Sequence, residues 1–301
     1  MKKILQRFVS AMIQRGYLQN VSDETYLKLL YWARLGNRLN LNSPKKFTEK
    51  LQWLKLNYRR SEYTQMVDKL AMKDWVTDRI GSGHVVPVLG VWNSAEEIDV
   101  SELPEQFVMK TNHDSGSVVI CTDKSAFDLQ QAKKIMSESL GRNYYYSGRE
   151  WPYKDVKPLV FAEEYISADK DCSSDLRSIA AAEYDFFCFD GEVGFVTICH
   201  GEKDVPGGRR NDFYTKSFEP LPVKCGYESC AGQHEKPALF DAMIELAEKL
   251  SRGIPELRVD LYEHDGSILV GELTFFHWSG LCRFDPPEWD EKFGSLIVLP
   301  K

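Results

Sequence analysis

Arg258-Val259-Asp260-Leu261-Tyr262, Asp265-Gly266 and Gly271-Glu272-Leu273-Thr274 read as two strands joined by a tight turn. Side chains alternate across a strand, so Asp260 and Glu272 fall on one face of such a hairpin, and Asp-Gly suits a two-residue turn with positive φ. Two carboxylates on neighbouring strands offer hard oxygen donors to one divalent cation, with magnesium carrying nucleotide phosphates as the natural occupant.

Upstream, Phe107-Val108-Met109-Lys110 is a short apolar strand that ends in a cation and runs into the polar loop Thr111 to Ser117. Ser115-Gly116-Ser117 can bring backbone N–H groups close to phosphate oxygens, and Lys110 adds a compact positive charge. The loop is not a Walker A motif. A third element, Leu159-Val160-Phe161-Ala162-Glu163-Glu164-Tyr165-Ile166, is an apolar strand that turns acidic, and by itself it reads as an edge strand with a solvated end. Asp68-Lys69-Leu70-Ala71-Met72-Lys73 falls within a helix expected from Thr64 to Arg79, which puts Lys69 and Lys73 on one face. Taken alone, Lys73 is an ordinary surface charge.

The ordered series of Lys73, Lys110, the Ser-Gly-Ser loop, Glu-Glu-Tyr-Ile, Asp260 and Glu-x-Thr resembles the ATP-grasp superfamily over roughly residues 60 to 301. Within it the chain looks most like the TupA-like branch, through Phe107 to His113, Tyr184 to Gly191, Arg210 to Tyr214 and Gly271 to Gly280. The resemblance implies an α+β, ATP-grasp fold of two α+β lobes clasping ATP. It also implies ATP-dependent joining of a carboxylate to an amine through an acyl phosphate. The branch sits in surface-polysaccharide and capsule gene sets, so the implied carboxylate is a uronic acid or an amino acid, and an acidic or lipid-linked glycan is an implied partner.

Site roles follow from the same resemblance. Lys73 and Lys110 would bind the α- and β-phosphates of ATP, with Ser115, Gly116 and Ser117 beside them and His113 helping the loop to close over the transferred phosphate. Glu163, Glu164, Tyr165 and Ile166 would present backbone groups to adenine, with Asp169 and Asp171 as ribose partners. Arg209 and Arg210, after Pro206-Gly207-Gly208, would hold the γ-phosphate or the substrate carboxylate, and Arg258 would face the same cavity. Asp260, Glu272 and Thr274 would hold Mg2+. Three positions depart from the family pattern: Asp114 stands where relatives commonly have glycine, Asp185 where close relatives have lysine, and Thr274 where asparagine is usual. For the proton that the amine must lose, His277, Glu150 and Asp290 are all acceptors to weigh.

At 301 residues, 43% hydrophobic and 28% charged, the chain suffices for one large domain or two closely packed lobes. It contains no apolar run of membrane-spanning length, and Arg7 and Arg15 interrupt the segment where a signal peptide needs apolar residues, so a cytoplasmic protein is expected. The seven cysteines form no CxxC pair and read as buried thiols, with Cys225, Cys230 and His234 a poorly spaced alternative for zinc. Three regions are expected: a basic helical N-terminal module at 1–60, a first lobe at 61–160 and a second at 161–301. The first sixty residues hold 13 lysines and arginines against 3 acids, and the remainder 25 against 42. No nucleic-acid partner is expected of so acidic a body.

Within the basic module, Ile4, Leu5, Phe8, Val9, Met12 and Ile13 form a helical stripe flanked by Lys2, Lys3, Arg7 and Arg15. Such a helix can cover the protein's own body, face a dimer partner, or lie on an anionic membrane at the inner face. A helix from about Tyr26 to Arg38 and another led by Ser43-Pro44 complete the module. Three other functions stay open: a glycosyltransferase of the same pathway, for which no DxD motif on a Rossmann-like strand is evident, a sugar kinase, and a catalytically degenerate nucleotide-binding partner.

Overall fold

The computed structural model describes residues 2–166, 183–200, 210–230 and 234–301. Helices α1 (Lys2–Gln14), α2 (Asp23–Leu35), α3 (Phe47–Asn57), α4 (Glu62–Val67) and α5 (Ala71–Ile80) come first, followed by strands β1 (Val88–Trp92), β2 (Phe107–Thr111) and β3 (Val118–Cys121). Next are α6 (Leu129–Leu140), α7 (Tyr145–Gly148), β4 (Val160–Glu164), β5 (Glu183–Phe189), β6 (Glu192–His200), β7 (Arg210–Tyr214), β8 (Pro220–Leu221) and β9 (Lys224–Cys225). The described chain closes with α8 (Phe240–Ser251), β10 (Leu257–His264), β11 (Ser267–Thr274), β12 (Phe284–Asp285) and α9 (Trp289–Leu296). No described helix is long and apolar enough to cross a membrane.

Two antiparallel sheets carry the architecture, so the α+β class expected from the sequence holds. The four-stranded sheet has the order β1-β4-β2-β3, and the six-stranded sheet the order β11-β10-β5-β6-β7-β8. Ala132 and Met136 of α6 pack on Phe107, Met109, Val160 and Ala162 of the smaller sheet. On the larger sheet, Phe240, Met243, Ala247 and Leu250 of α8 meet Phe186, Cys188, Leu257 and Val259 in a second core.

The hairpin of β10 and β11 forms as its sequence dictates. Asp260 pairs directly with Glu272 and Arg258 with Thr274, and the ladder ends at His264 opposite Ser267. The turn residues Asp265 and Gly266 have φ of 50° and 70°, the pair of left-handed conformations that a type I′ turn requires.

Elsewhere tertiary partners override the local pattern. Strand β4 lies between β1 and β2, not at an edge, because Val160, Phe161 and Ala162 are all buried and both of its faces are covered. The boundary drawn at residue 160 therefore falls at the first residue of β4, which belongs to the smaller sheet. The helix expected from Thr64 to Arg79 is interrupted: Asp68 Oδ1 accepts from the backbone N–H of Leu70 at 2.9 Å and of Ala71 at 3.2 Å, capping α5. At the break, Lys69 N donates to Asn112 O at 3.0 Å. The second helix of the N-terminal module, α2, stops at Leu35, three residues short of Arg38, where Gly36 caps it in the left-handed conformation with φ 83°. Helix α3 starts at Phe47 and not behind Ser43-Pro44, since Glu49 Oε2 accepts from the backbone N–H of Lys45 at 3.0 Å and of Lys46 at 3.3 Å. Cys225 and Cys282 are paired in a disulfide, against the expectation of thiols throughout, while Cys121, Cys188 and Cys199 are buried thiols.

Candidate active site

A cavity opens beside the hairpin. Ser115 from the loop after β2, Tyr144 and Glu150 from the segment between α6 and β4, and Arg258, Glu272 and Thr274 from the hairpin contribute to its walls. The register aligns three carboxylates on consecutive strands, because Asp260 is opposite Glu272 on one side and Asp185 of β5 on the other. Cross-strand partners share a face, so Asp185, Asp260 and Glu272 form one row.

Arg258 sits one level below on the same face as Asp260. Its Nε and Nη2 donate to Oδ1 and Oδ2 of Asp260 at 2.6 and 2.5 Å, its Nη1 to Nδ1 of His277 at 2.7 Å and its Nη2 also to Thr274 Oγ1 at 3.1 Å. Guanidinium has no acceptor, so Nδ1 of His277 is unprotonated here. Thr274 in turn donates to Glu272 Oε1 at 2.9 Å. Burial pushes the Asp260 carboxyl well above the usual range, and Asp185 and Glu183 add to that push against the pull of Arg258. A row of hard oxygen donors under this mutual repulsion fits a divalent cation, which would offset it. Asp260 and Glu272 have the donor set for Mg2+, with the Thr274 hydroxyl adjoining them.

A second charge cluster lies within the smaller sheet. Lys73 is buried, donating to Val86 O at 2.7 Å and Glu163 Oε2 at 2.9 Å, which corrects its reading as a surface charge. Lys110 donates to the other oxygen of Glu163. Burial opposes ionisation of Glu163, but Lys110 and Lys73 outweigh it and hold the carboxyl below its usual range. Lys110 is not among the residues lining the cavity beside the hairpin. Lys69 links the two regions: its Nζ donates to Asp114 O and lies 3.8 Å from Glu272 Oε2.

The loop after β2 is organised from within. Asp114 is buried and its carboxylate accepts from Thr111 Oγ1 at 2.6 Å, Ser117 Oγ at 2.6 Å and Ser139 Oγ at 2.7 Å. Burial resists its ionisation, yet these hydroxyls keep the carboxyl below the usual range. The charge thus points into the loop, onto these three hydroxyls. His113 is also internal, with Nε2 facing the carbonyls of Ser139 at 3.2 Å and Arg142 at 3.1 Å, so it anchors the loop to the end of α6. Ser117 turns inward to Asp114, Gly116 supplies a left-handed φ of 95°, and Ser115 faces the cavity.

Among the residues expected at adenine, the Glu163 backbone is paired with β1 and β2, Glu164 N donates to Pro87 O at 3.1 Å, and Tyr165 and Ile166 continue beyond the strand. Arg210 opens β7 and its Nη1 donates to Ser229 O at 3.4 Å. Arg209, Pro206 to Gly208, Asp169 and Asp171 lie outside the described residues. Of the three proton acceptors weighed, Glu150 and His277 line the cavity. Asp290 does not: it accepts from Thr48 N at 2.9 Å and Thr48 Oγ1 at 2.8 Å, joining α9 to α3. Of the zinc set of Cys225, Cys230 and His234, Cys225 is instead bonded to Cys282, whereas Cys230 and His234 come together around Asp212, with His234 Nε2 meeting Asp212 Oδ2 at 2.8 Å.

Little in the local pattern of residues points to Lys55. It is buried behind Glu150, donating to Gly148 O at 2.9 Å, Ser279 O at 2.9 Å and Ser279 Oγ at 2.7 Å, and burial pushes its ammonium down to about 8. Its one sequence trace is a position four residues after Leu51, on the apolar face of α3.

A family model described as TupA-like ATPgrasp matches residues 49–298. Among solved structures, the chain is similar to the ATP-grasp ligase PsnB complexed with minimal precursor, at 11% identity and a TM-score of 0.41, over 87% of this chain and 68% of that one. It is similar to the D-alanine–D-alanine ligase of Bacillus anthracis at 17% identity and a TM-score of 0.39, over 70% of this chain and 57% of that one. The corresponding ligase of Helicobacter pylori gives 13% identity and a TM-score of 0.43, over 85% and 70%. The chain thus spans little more than half the length of the Bacillus enzyme. No curated protein sequence matches it.

Proposed function

The chain belongs to the TupA-like ATP-grasp family, and from that premise we propose that it is an ATP-dependent ligase joining a carboxylate to an amine through an acyl phosphate. In this reading the carboxylate is a uronic acid or an amino acid, and the product enters a bacterial surface polysaccharide. The supporting observation is the row of Asp185, Asp260 and Glu272, with Arg258 forked onto Asp260, beside a cavity that Ser115 also lines.

The roles follow from the chemistry of each group. Phosphoryl transfer needs positioning and charge neutralisation more than covalent help from the protein. Lys110 and the backbone around Ser115 and Gly116 receive phosphate oxygens, while Lys73 acts through the shared Glu163 to fix Lys110. Asp260 and Glu272, with Thr274 adjoining, would hold magnesium, which would supply neutralisation of phosphate charge. Arg258 orients the group being transferred, and Arg209 and Arg210 hold the substrate carboxylate. The γ-phosphoryl group passes to a carboxylate oxygen, ADP leaves, and the amine then attacks the acyl carbon with loss of inorganic phosphate and a proton. Glu150, at the cavity wall, is the group placed to take that proton, since the unprotonated Nδ1 of His277 is already engaged by Arg258.

Incubation with Mg-ATP, candidate uronic or amino acids and hydroxylamine tests this. The expected result is ADP together with a hydroxamate of one carboxylate. ADP with a phosphorylated sugar and no hydroxamate would replace the ligase with a kinase, and absence of turnover with every acceptor would leave a nucleotide-binding protein.

A further inference from the structure

Helix α1 is mounted with its polarity reversed. It has no buried residue, and Lys3, Gln6, Arg7, Ser10 and Gln14 line the groove it forms with Ala33 of α2 and with Arg283. Gln6 Nε2 donates to Trp32 O at 3.0 Å across that seam. On the other side, Ile4, Leu5 and Phe8 are 72%, 53% and 60% exposed. At 100° per residue these three share an arc with Val9 and Met12, opposite the groove residues. A surface helix ordinarily turns its apolar stripe to the core; here Ile13 at the end of the stripe packs against the cluster of Tyr26, Leu27 and Leu30, while Ile4, Leu5 and Phe8 turn away from the body. Two aliphatic side chains and a phenyl ring exposed together mark a contact surface.

We infer that this face docks on an anionic lipid bilayer. Charge decides between the occupants. Lys2 and Arg7 flank the stripe and Arg15 follows it, while Lys3 stands on the groove side, within a sixty-residue segment holding 13 basic residues and 3 acids. A second copy seated face to face would oppose these cations to one another. Anionic headgroups pair with them, while the three apolar side chains enter the acyl boundary as in an interfacial helix. The reversed mounting also leaves the helix attached to α2 through its polar side while the apolar side inserts. The inference does not depend on the ligase reading.

The test is co-sedimentation of the full chain with phosphatidylcholine vesicles, with and without phosphatidylglycerol. Binding to the anionic vesicles is expected, weakened by salt, and at least tenfold lower for the Leu5→Glu/Phe8→Glu variant and for Lys2→Glu/Lys3→Glu/Arg7→Glu. These side chains are exposed, so an unchanged melting temperature separates lost docking from lost folding. Failure to bind either vesicle, or binding indifferent to Leu5→Glu/Phe8→Glu, would overturn the inference. So would a dimer in light scattering that Leu5→Glu/Phe8→Glu dissociates, since the occupant would then be a second copy.

Discussion

Arg258 and Asp260, two residues apart on β10, meet through two parallel hydrogen bonds of 2.6 and 2.5 Å. Alternation along a strand brings i and i+2 to one face, so the backbone itself presents the fork to the carboxylate. A lysine cannot reproduce that geometry. Arg258→Lys keeps the charge but loses the simultaneous contacts to Asp260, Thr274 and His277, and is expected to lower kcat about 100-fold with a smaller change in KM for ATP. Steady-state ADP release checks this, and an unaltered kcat would remove Arg258 from the transfer step.

Glu163 is the common partner of Lys73 and Lys110. Glu163→Gln leaves two ammonium groups around a neutral amide, with an expected loss of about 3 kcal/mol of stability at neutral pH. The sign of the pH dependence follows from the lowered native pKa: the carboxylate contributes above 4.5, its ordinary value, and that contribution disappears as pH falls through the lower native value. Melting curves of the two proteins should therefore converge in acid. Parallel curves across the acid range would mean that the carboxylate's charge is not what matters.

Glu256 shows the opposite sign. Burial raises its carboxyl from 4.5 to about 8, with Glu150 adding to the rise and the Phe276 backbone N–H, Arg258 and Lys55 opposing it. A raised acid stabilises the fold below its unfolded pKa, and the effect is lost as pH rises through the folded one, so the wild-type protein should weaken between about pH 4.5 and 8. Glu256→Gln mimics the neutral form and should melt at increasing advantage over wild type across that interval. A constant offset in differential scanning fluorimetry would contradict this.

Asp114 supports three hydroxyls from Thr111, Ser117 and Ser139. Asp114→Ala strands these buried donors and should cost about 2–3 kcal/mol in urea denaturation, while Asp114→Asn recovers part of the loss. Because the same loop presents Ser115 to the cavity, KM for ATP should rise in Asp114→Ala more than kcat falls.

Where local chemistry sufficed, the sequence was legible. The Asp265-Gly266 turn and the opposition of Asp260 to Glu272 are both set by residues close together in the chain. What stayed hidden depends on distant donors. Asp114 can be buried because Ser139 supplies one of its three hydroxyls from α6. The break between α4 and α5 is held by Asn112, which draws in the backbone N–H of Lys69. Similarly, β4 read as an edge because nothing in residues 159–166 reveals that two other strands will flank it. The stripe on α1 was legible, but which way it faces was not, since periodicity defines a side without saying what lies opposite.

The ammonium of Lys69 touches the carbonyl of Asp114 and approaches Glu272, so one flexible stem spans the seam between the two sheets. Cleft width and the electrical balance of β11 are therefore not independent quantities. Anything that satisfies Glu272 loosens the lysine's hold on the opposite wall, and anything that draws the loop away uncovers negative charge on the strand.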